Sequence, residues 1–393
     1  MLKKDLADMR KHMKLESTML QFHEMYSVYL KKDNLEIVHK DIKKFQALDS
    51  ETQDLYIKNY KKVLGGALDT KLFQLDFINM EDENNSQKIL YSLLEEESND
   101  ELVKYLDEIV NKLAANYKYD SDIVINFVRG EYWKGAKVRS EAADEAEDDN
   151  VFSFKFILSS INKIEHPKKA LQFDYVNKEF RANSSLDAII NLTSPLDGFM
   201  FPCFNNNYSD INHIMYYTGR NNEVNNSFIE EVINCTLKIT AEEEKSCFNA
   251  IIKGVVGDSI KPEVMQTIYE KIAEKSEETD EGEVPVVTVK DVKNVLEDSG
   301  IEVKDVETLE KVYEDTIGST SFDFKVDNIL PDLKSKSVKI ESEAANISIA
   351  PNALSKIKQV RNKYGRKCLL IELDEDIEIN GFKLESSEAW QEE

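Results

Sequence analysis

The polar residues with the greatest chemical potential lie between two aromatic stretches in the middle of the chain. Carboxylate, amide and imidazole groups are concentrated from Asn205 to Tyr217, and the candidate ligand- or partner-binding residues are Asn205, Asn206, Asp210, Asn212 and His213. Asn and Asp are also the residues that set turn geometry and cap helices. The segment is therefore either a binding surface or a set of turns, with the aromatic residues Phe201 and Tyr217 in the core.

A second candidate is a basic run near the C-terminal end. Residues 356–367 hold six bases and no acid, namely Lys356, Lys358, Arg361, Lys363, Arg366 and Lys367. If these side chains share a face they can contact the phosphates of a nucleic acid, and Tyr364 can stack on a base. A basic surface that faces the protein's own acidic loops, or water, is the alternative.

Familiar catalytic motifs are incomplete. Phe22–Ser27 begins like the zinc-binding His-Glu-x-x-His motif, but Ser27 stands where the second histidine is required. Gly130–Lys137 resembles a P-loop, but its lysine comes one residue late and no Ser or Thr follows it. With 75 acidic residues in the chain, paired carboxylates are expected by chance. The sequence thus predicts no metal site and no cofactor, and it leaves open whether the protein is an enzyme.

Composition narrows the class of protein. The 393 residues carry a net charge of −25, which disfavours binding to nucleic acids or anionic membranes except where basic groups are locally concentrated. The 18 Phe and 16 Tyr residues predict a folded chain with a large core. Four scattered cysteines indicate reduced thiols rather than a disulfide framework or a zinc cluster. With no apolar leader and no run of about 18 apolar residues, the expected location is the cytoplasm.

The elements that must position these residues follow from hydrophobic periodicity. The patterns predict strands at 19–30, 35–42, 123–127 and 152–158, a helix capped at Asp49 or Ser50, and further helices carrying Leu6, Leu106, Phe228, Ile251 and Ile268. Pro202 favours an edge strand or a strand end for 199–204. Asn380-Gly381 predicts a hairpin turn.

These elements predict an α+β fold with three parts and a linker. An aromatic-rich domain, residues 1–220, has a mixed or antiparallel sheet with flanking helices. A helical segment, 221–276, and an acidic linker, 277–284, precede a small C-terminal α+β module, 285–393. The acidic stretches at 141–149 and 277–283 have no apolar side chains to bury, so we expect them to be exposed and to be cleaved first in limited proteolysis.

Three motifs in a fixed order carry a family resemblance. Gly198-Phe-Met-Phe-Pro-Cys-Phe-Asn205 is followed by Asp210-Ile211 and then Tyr216-Tyr217-Thr218. This order resembles a Gram-positive bacterial family numbered forty-three seventeen among domains of unknown function. Two departures exist: the histidine expected directly after Asp-Ile is displaced to His213, and Glu24-Met25 replaces a Cys-Gly pair. The resemblance implies a fold and a cytosolic bacterial origin, but no activity.

Three functional hypotheses remain at this level. The leading one is a non-enzymatic interaction protein that docks a protein partner or self-associates. The second is a nucleic-acid-associated protein that uses residues 356–367, and the third is a hydrolase or nuclease that uses acidic residues. A large exposed apolar patch would favour the first, a continuous basic face the second, and a pocket with converging carboxylates the third.

Overall fold

The chain forms two compact units, residues Met1–Ala241 and Glu242–Glu393. They are seen in a computed structural model, which describes residues 1, 3–79, 84–135, 151–165, 171–182, 187–205, 208–279, 283–303, 306–343, 345–375, 377–379 and 382–383. The acidic stretch 141–149, residues 280–282 of the second acidic stretch, and the turn residues Asn380 and Gly381 lie outside this range. The predicted four-part division of the chain stays a prediction.

The first unit is built on a large antiparallel sheet. Its helices are α1 (Lys3–His12), α2 (Ser50–Val63), α3 (Ser86–Glu95) and α4 (Asn99–Ala115). Its strands are β1 (Leu20–Leu30), β2 (Ile37–Lys44), β3 (Leu72–Asp76), β4 (Ile123–Gly135), β5 (Val151–Glu165), β6 (Leu171–Asp174), β7 (Glu179–Ala182), β8 (Ile189–Ile190), β9 (Asp197–Phe201), β10 (Cys203–Asn205), β11 (Tyr208–Asp210) and β12 (His213–Thr218). The strand order is β2-β1-β4-β5-β9-β12-β3, with β8 paired to β5.

The central strands are covered on both faces. Alternate side chains of β9 point to opposite sides, so Phe199 and Phe201 join a core with α3 and α4. Met200 joins a second core with α1 and α2 on the other side. Every residue of β9 is buried. The sheet is therefore the middle layer of the first unit, with helices packed on both faces.

Local signals fix several helix ends, including the start that the sequence predicted at Asp49 or Ser50. The Asp49 carboxylate accepts a hydrogen bond from the backbone N–H of Thr52 at 2.9 Å and caps α2. The chain turns after this helix at Gly66, whose φ of +122° favours glycine. Ser98 caps α4 in the same way through the N–H of Glu101.

Two local predictions need correction. Since β9 lies between β5 and β12, it is a central strand and not an edge strand. Pro202 directly follows its last residue, so the prediction of a strand end is confirmed. The expected amphipathic helix around Phe228 is only a five-residue π-helical turn, Phe228–Val232, and the chain then enters a left-handed conformation at Asn234, with φ of +51°.

The second unit combines helices with small two-stranded sheets. Its helices are α5 (Ala241–Val256), α6 (Pro262–Glu278), α7 (Val289–Asp298), α8 (Val306–Ile317) and α9 (Val326–Ile329). Its strands are β13 (Val286–Val287), β14 (Phe324–Lys325), β15 (Val338–Glu341), β16 (Asn346–Ile349), β17 (Ile357–Arg361), β18 (Lys367–Ile371), β19 (Glu378–Ile379) and β20 (Phe382–Lys383). They pair as β13–β14, β15–β16, β17–β18 and β19–β20.

The helices of this second unit share one core, in which Phe248, Ile268 and Phe324 are buried. The buried Glu244 carboxylate accepts a hydrogen bond from the Asn328 amide at 2.7 Å, which links α5 to α9. A smaller cluster contains Tyr269, Leu354 and Ile357, and it anchors the start of β17 on α6. The predicted α+β fold class is confirmed. Among the described helices, none is both long enough and apolar enough to cross a bilayer.

Candidate functional site

The structure brings part of the predicted polar loop together. β10 and β11 form a hairpin in which the backbone of Asn205 pairs with that of Tyr208. Asn206 lies outside the described residues. Asp210 ends this hairpin and His213 begins β12, so their side chains meet where β12 pairs with β3.

His213 is held between two carboxylates. Its Nδ1 lies 2.7 Å from Asp210 Oδ2, and its Nε2 lies 2.7 Å from Asp76 Oδ1. Each ring nitrogen of His213 thus lies within hydrogen-bond distance of a carboxylate oxygen. Both ring nitrogens are engaged, which leaves neither free to act as a general base. The residue instead ties β11, β12 and β3 together.

Lys238 completes this charged cluster. Its Nζ lies 2.9 Å from Asp76 Oδ2 and donates to the Gln74 carbonyl at 2.7 Å. Burial alone would raise the pKa of the Asp76 carboxyl, but the hydrogen bonds and charges of Lys238 and His213 outweigh it and hold that pKa below its ordinary value. The cluster of two acids and two bases is thus satisfied internally. Asp76 and Lys238 could not be identified from the sequence. Asp76 is a neighbour of His213 only through the pairing of β3 with β12, and Lys238, which lies outside the strands, joins through its contact with Asp76.

Asn212 has contacts to the helical layer. The Gln87 amide at the start of α3 donates to the Ile211 carbonyl at 3.0 Å and reaches Asn212 Oδ1 at 3.5 Å. The Asn212 backbone N–H in turn donates to Asp210 Oδ1 at 3.2 Å. These contacts are all within the chain, and the ligand-binding role of the polar loop stays a prediction.

A second polar network lies inside the first unit, around Asp197. The Tyr119 hydroxyl donates to Asp197 Oδ2 at 2.8 Å, the Asn225 amide donates to the same oxygen at 3.0 Å, and the Tyr216 hydroxyl donates to Oδ1. Burial raises the pKa of Asp197 to about 6, against the opposing effect of these hydrogen bonds. Only 4% of Asp197 is exposed, so this carboxyl lies inside the unit and is satisfied by neighbouring side chains. The network was missed because three of its four members lie outside any sequence motif.

A small cavity in the first unit does not provide a substrate pocket. It is lined by α4 residues and by the ion pair of Arg129 with Glu24, whose side-chain N and O atoms lie 2.7 Å apart. Its volume is about 10 Å³, which holds one water molecule. Ligand pockets are usually larger by more than tenfold. Among the described residues, no group of three or more His, Cys, Asp and Glu side chains is arranged to hold a metal ion.

The basic run occupies the hairpin of β17 and β18. Arg361 pairs with Lys367 across the hairpin, whereas Lys358 pairs with Leu370. Because side chains alternate along a strand, Lys358 lies on the opposite face from Arg361. Lys358 Nζ also lies 3.1 Å from the Glu372 carboxylate, and Lys356 pairs with Asp374. The six bases therefore do not form one continuous face.

An exposed apolar surface on the first unit was missed from the sequence. The hairpin of β6 and β7 places Leu171 opposite Ala182 and Phe173 opposite Phe180 on one side. The rings of Phe173 and Phe180 lie 5.3 Å apart, and Tyr175 contacts Phe173 at 5.1 Å. We call these five residues the apolar hairpin face. Leu171 is 78% exposed, Phe180 79% and Tyr175 85%.

The fold and these sites define an α+β protein with an internally paired polar loop and an exposed apolar hairpin. A family model described as "Domain of unknown function (DUF4317)" matches residues 1–382, and the chain belongs to that family. The resemblance inferred from the three ordered motifs is thereby confirmed. No curated protein and no solved structure matches the chain.

Proposed function

We propose that the protein is a non-enzymatic interaction protein that self-associates through the apolar hairpin face. The observation that supports this is the exposure of large side chains on one side of the β6–β7 hairpin. Together they leave on the order of 600 Å² of apolar surface in water. A patch of that size is at the upper limit for a monomeric protein and often marks an interaction site.

The β6–β7 hairpin is expected to need a packing partner for its stability. A two-stranded hairpin is only marginally stable in water unless its apolar face packs against something. Within the described residues, β6 and β7 pair only with each other. Phe180 is 79% exposed in a single copy of the chain, so its side chain contributes little hydrophobic stabilisation there. A docked surface would supply the missing packing.

The area of the apolar hairpin face and the charge of the hairpin favour a second copy of the chain as the docked surface. A standard interface buries about 800 Å² on each partner, so the apolar hairpin face would provide most of one side. Residues 171–182 contain two acids and two bases, so the hairpin carries no local charge that would oppose its own copy. The net charge of −25 is spread over the chain, and charges beyond about 8 Å are screened at physiological salt. A twofold arrangement would place the same face on both sides.

Replacing Phe180 with Asp should convert the native dimer into a monomer. The change places a charge in the centre of the proposed interface, where burying it without a partner is costly. We expect sedimentation velocity at about 50 μM to give a dimer for the native chain and at least a tenfold weaker association for the variant. The melting temperature should stay nearly unchanged, since Phe180 is exposed within one copy.

Tyr208→Asp is the matched control, because Tyr208 is also an exposed aromatic of the first unit, at 57%, and lies outside the hairpin. It should leave the dimer intact. A native chain that is monomeric at this concentration would contradict self-association. If that monomer captured a different protein, and Phe180→Asp abolished the capture, the face would dock a partner instead of a copy.

We place this activity in the cytoplasm. The four cysteines are free thiols, of which Cys203 and Cys235 are buried, and persistent free thiols are typical of reducing compartments. Burial raises the pKa of Cys203 to about 12, so its reactive thiolate form is suppressed at neutral pH. The burial of Cys203 and Cys235 and the raised pKa of Cys203 support a structural rather than a catalytic role for these two cysteines.

A further inference from the structure

We infer that the tip of the β17–β18 hairpin binds single-stranded nucleic acid. The inference concerns the second unit and is independent of the apolar hairpin face on the first. The basic tip comprises Arg361, Lys363, Tyr364, Arg366 and Lys367.

The hairpin sorts its positive charges into two groups. At its base, Lys356 and Lys358 form ion pairs with Asp374 and Glu372. Of the four cations at the tip, none forms an ion pair with a carboxylate in the part of the chain that the structure describes. Four unneutralised cations thus lie within seven consecutive residues of a protein with a net charge of −25.

The tip has a defined shape. The Asn362 backbone N–H donates to the Arg366 carbonyl at 2.9 Å, and the Asn362 Oδ1 accepts from the N–H groups of Tyr364 and Arg366 at 3.0 Å each. Gly365 has a φ of +74°, a conformation that favours glycine and lets the strands close around the turn. The cations are therefore presented on an ordered turn, which lowers the entropy lost on binding.

Tyr364 distinguishes a nucleic acid from other polyanions. The ring is 76% exposed at the end of the hairpin, and Lys363 Nζ lies 5.2 Å from its centroid. Phosphate contacts alone need no aromatic group, whereas single-stranded nucleic acids bind through cations and through bases stacked on aromatic rings. Bases in a duplex are already stacked and unavailable to such a ring. The combination favours a single strand over a duplex or a lipid surface.

The number of cations at the tip sets the expected salt dependence of the binding affinity. Four phosphate contacts on a single strand give a log–log salt slope of about −3. The affinity should therefore fall about 50-fold between 50 and 200 mM salt. The rest of the chain repels the ligand, so binding should be measurable only at the lower salt concentrations.

The test is fluorescence anisotropy of a labelled oligothymidylate with the full-length chain. A triple variant, Lys363→Gln with Arg366→Gln and Lys367→Gln, should reduce the salt slope by about 2. A control variant removes the same charge elsewhere in the second unit, through Lys334→Gln, Lys336→Gln and Lys339→Gln, all at exposed positions. The control should keep the native affinity and slope.

A second arm separates stacking from charge. Tyr364→Ala should lower oligothymidylate affinity roughly tenfold, while binding of inorganic polyphosphate should be unchanged. No binding of the native chain at about 50 mM salt would overturn the inference. The inference would also be overturned if the tip variant (Lys363, Arg366 and Lys367 to Gln) and the control variant had equal effects. A loss of affinity for polyphosphate on Tyr364→Ala, or tighter binding to phosphatidylserine vesicles than to the oligonucleotide, would contradict it as well.

Discussion

Replacing Phe201 with alanine is expected to lower the free energy of unfolding of the first unit by about 3–5 kcal/mol. Phe201 ends the central strand β9 and is fully buried, and its ring lies 5.6 Å from that of Phe77 in an edge-on arrangement. Truncation removes a large apolar side chain and leaves a cavity between the sheet and its helical layer. Urea unfolding of native and variant chains measures this cost.

Tyr208→Ala provides the comparison for Phe201→Ala. Tyr208 is an aromatic residue of the same motif region but is 57% exposed, so its truncation should change stability by less than about 1 kcal/mol. An unchanged melting transition for Phe201→Ala, with loss of binding to a partner or ligand, would place Phe201 in a binding site instead of the core.

Replacing Asp197 with Asn should remove much of the pH dependence of stability at mildly acidic pH. In the folded chain, burial raises the pKa of Asp197 to about 6 from an ordinary value of 3.8. The folded state therefore binds a proton more tightly than the unfolded state does. This contribution to stability is fully present below the unfolded pKa and is lost as pH rises through the folded pKa.

For the native chain, this group should lower the free energy of unfolding by about 2 kcal/mol between pH 4.5 and 7.5. The amide side chain of the Asp197→Asn variant cannot ionise, so the difference in stability between the two chains should shift by that amount in favour of the variant. Urea unfolding at the two pH values measures the shift. Identical pH dependence in both chains would show that Asp197 does not titrate in this range.

Much of the local structure was predictable from short patterns. The cap at Asp49 and the strands β4 and β5 depend on residues only a few positions apart in the sequence. The structure confirms both predictions. The polar cluster was only half predictable. Asp210 and His213 are close in sequence, whereas Asp76 joins them through the pairing of β3 with β12, which no local pattern encodes.

The surfaces were harder to predict than the core. Alternation along 171–182 indicates which side chains share a face, but it does not indicate whether another layer covers that face. The same limit applied to the basic run. Its residues were treated as one candidate surface, although strand geometry places Lys358 and Arg361 on opposite sides. The turn at Asn362–Arg366 places Arg361, Lys363, Arg366 and Lys367 together at the tip of the hairpin.

Hydrogen–deuterium exchange at two protein concentrations tests the self-association most directly. If a second copy covers the apolar hairpin face, the amides of 171–182 should exchange at least tenfold more slowly at about 100 μM than at about 1 μM. The β15–β16 hairpin, Val338–Ile349, is another two-stranded sheet and serves as the internal control, with the same exchange at both concentrations. Equal exchange of 171–182 at both concentrations, at the rate seen in the Phe180→Asp variant, would contradict the proposal that this face docks onto a second copy.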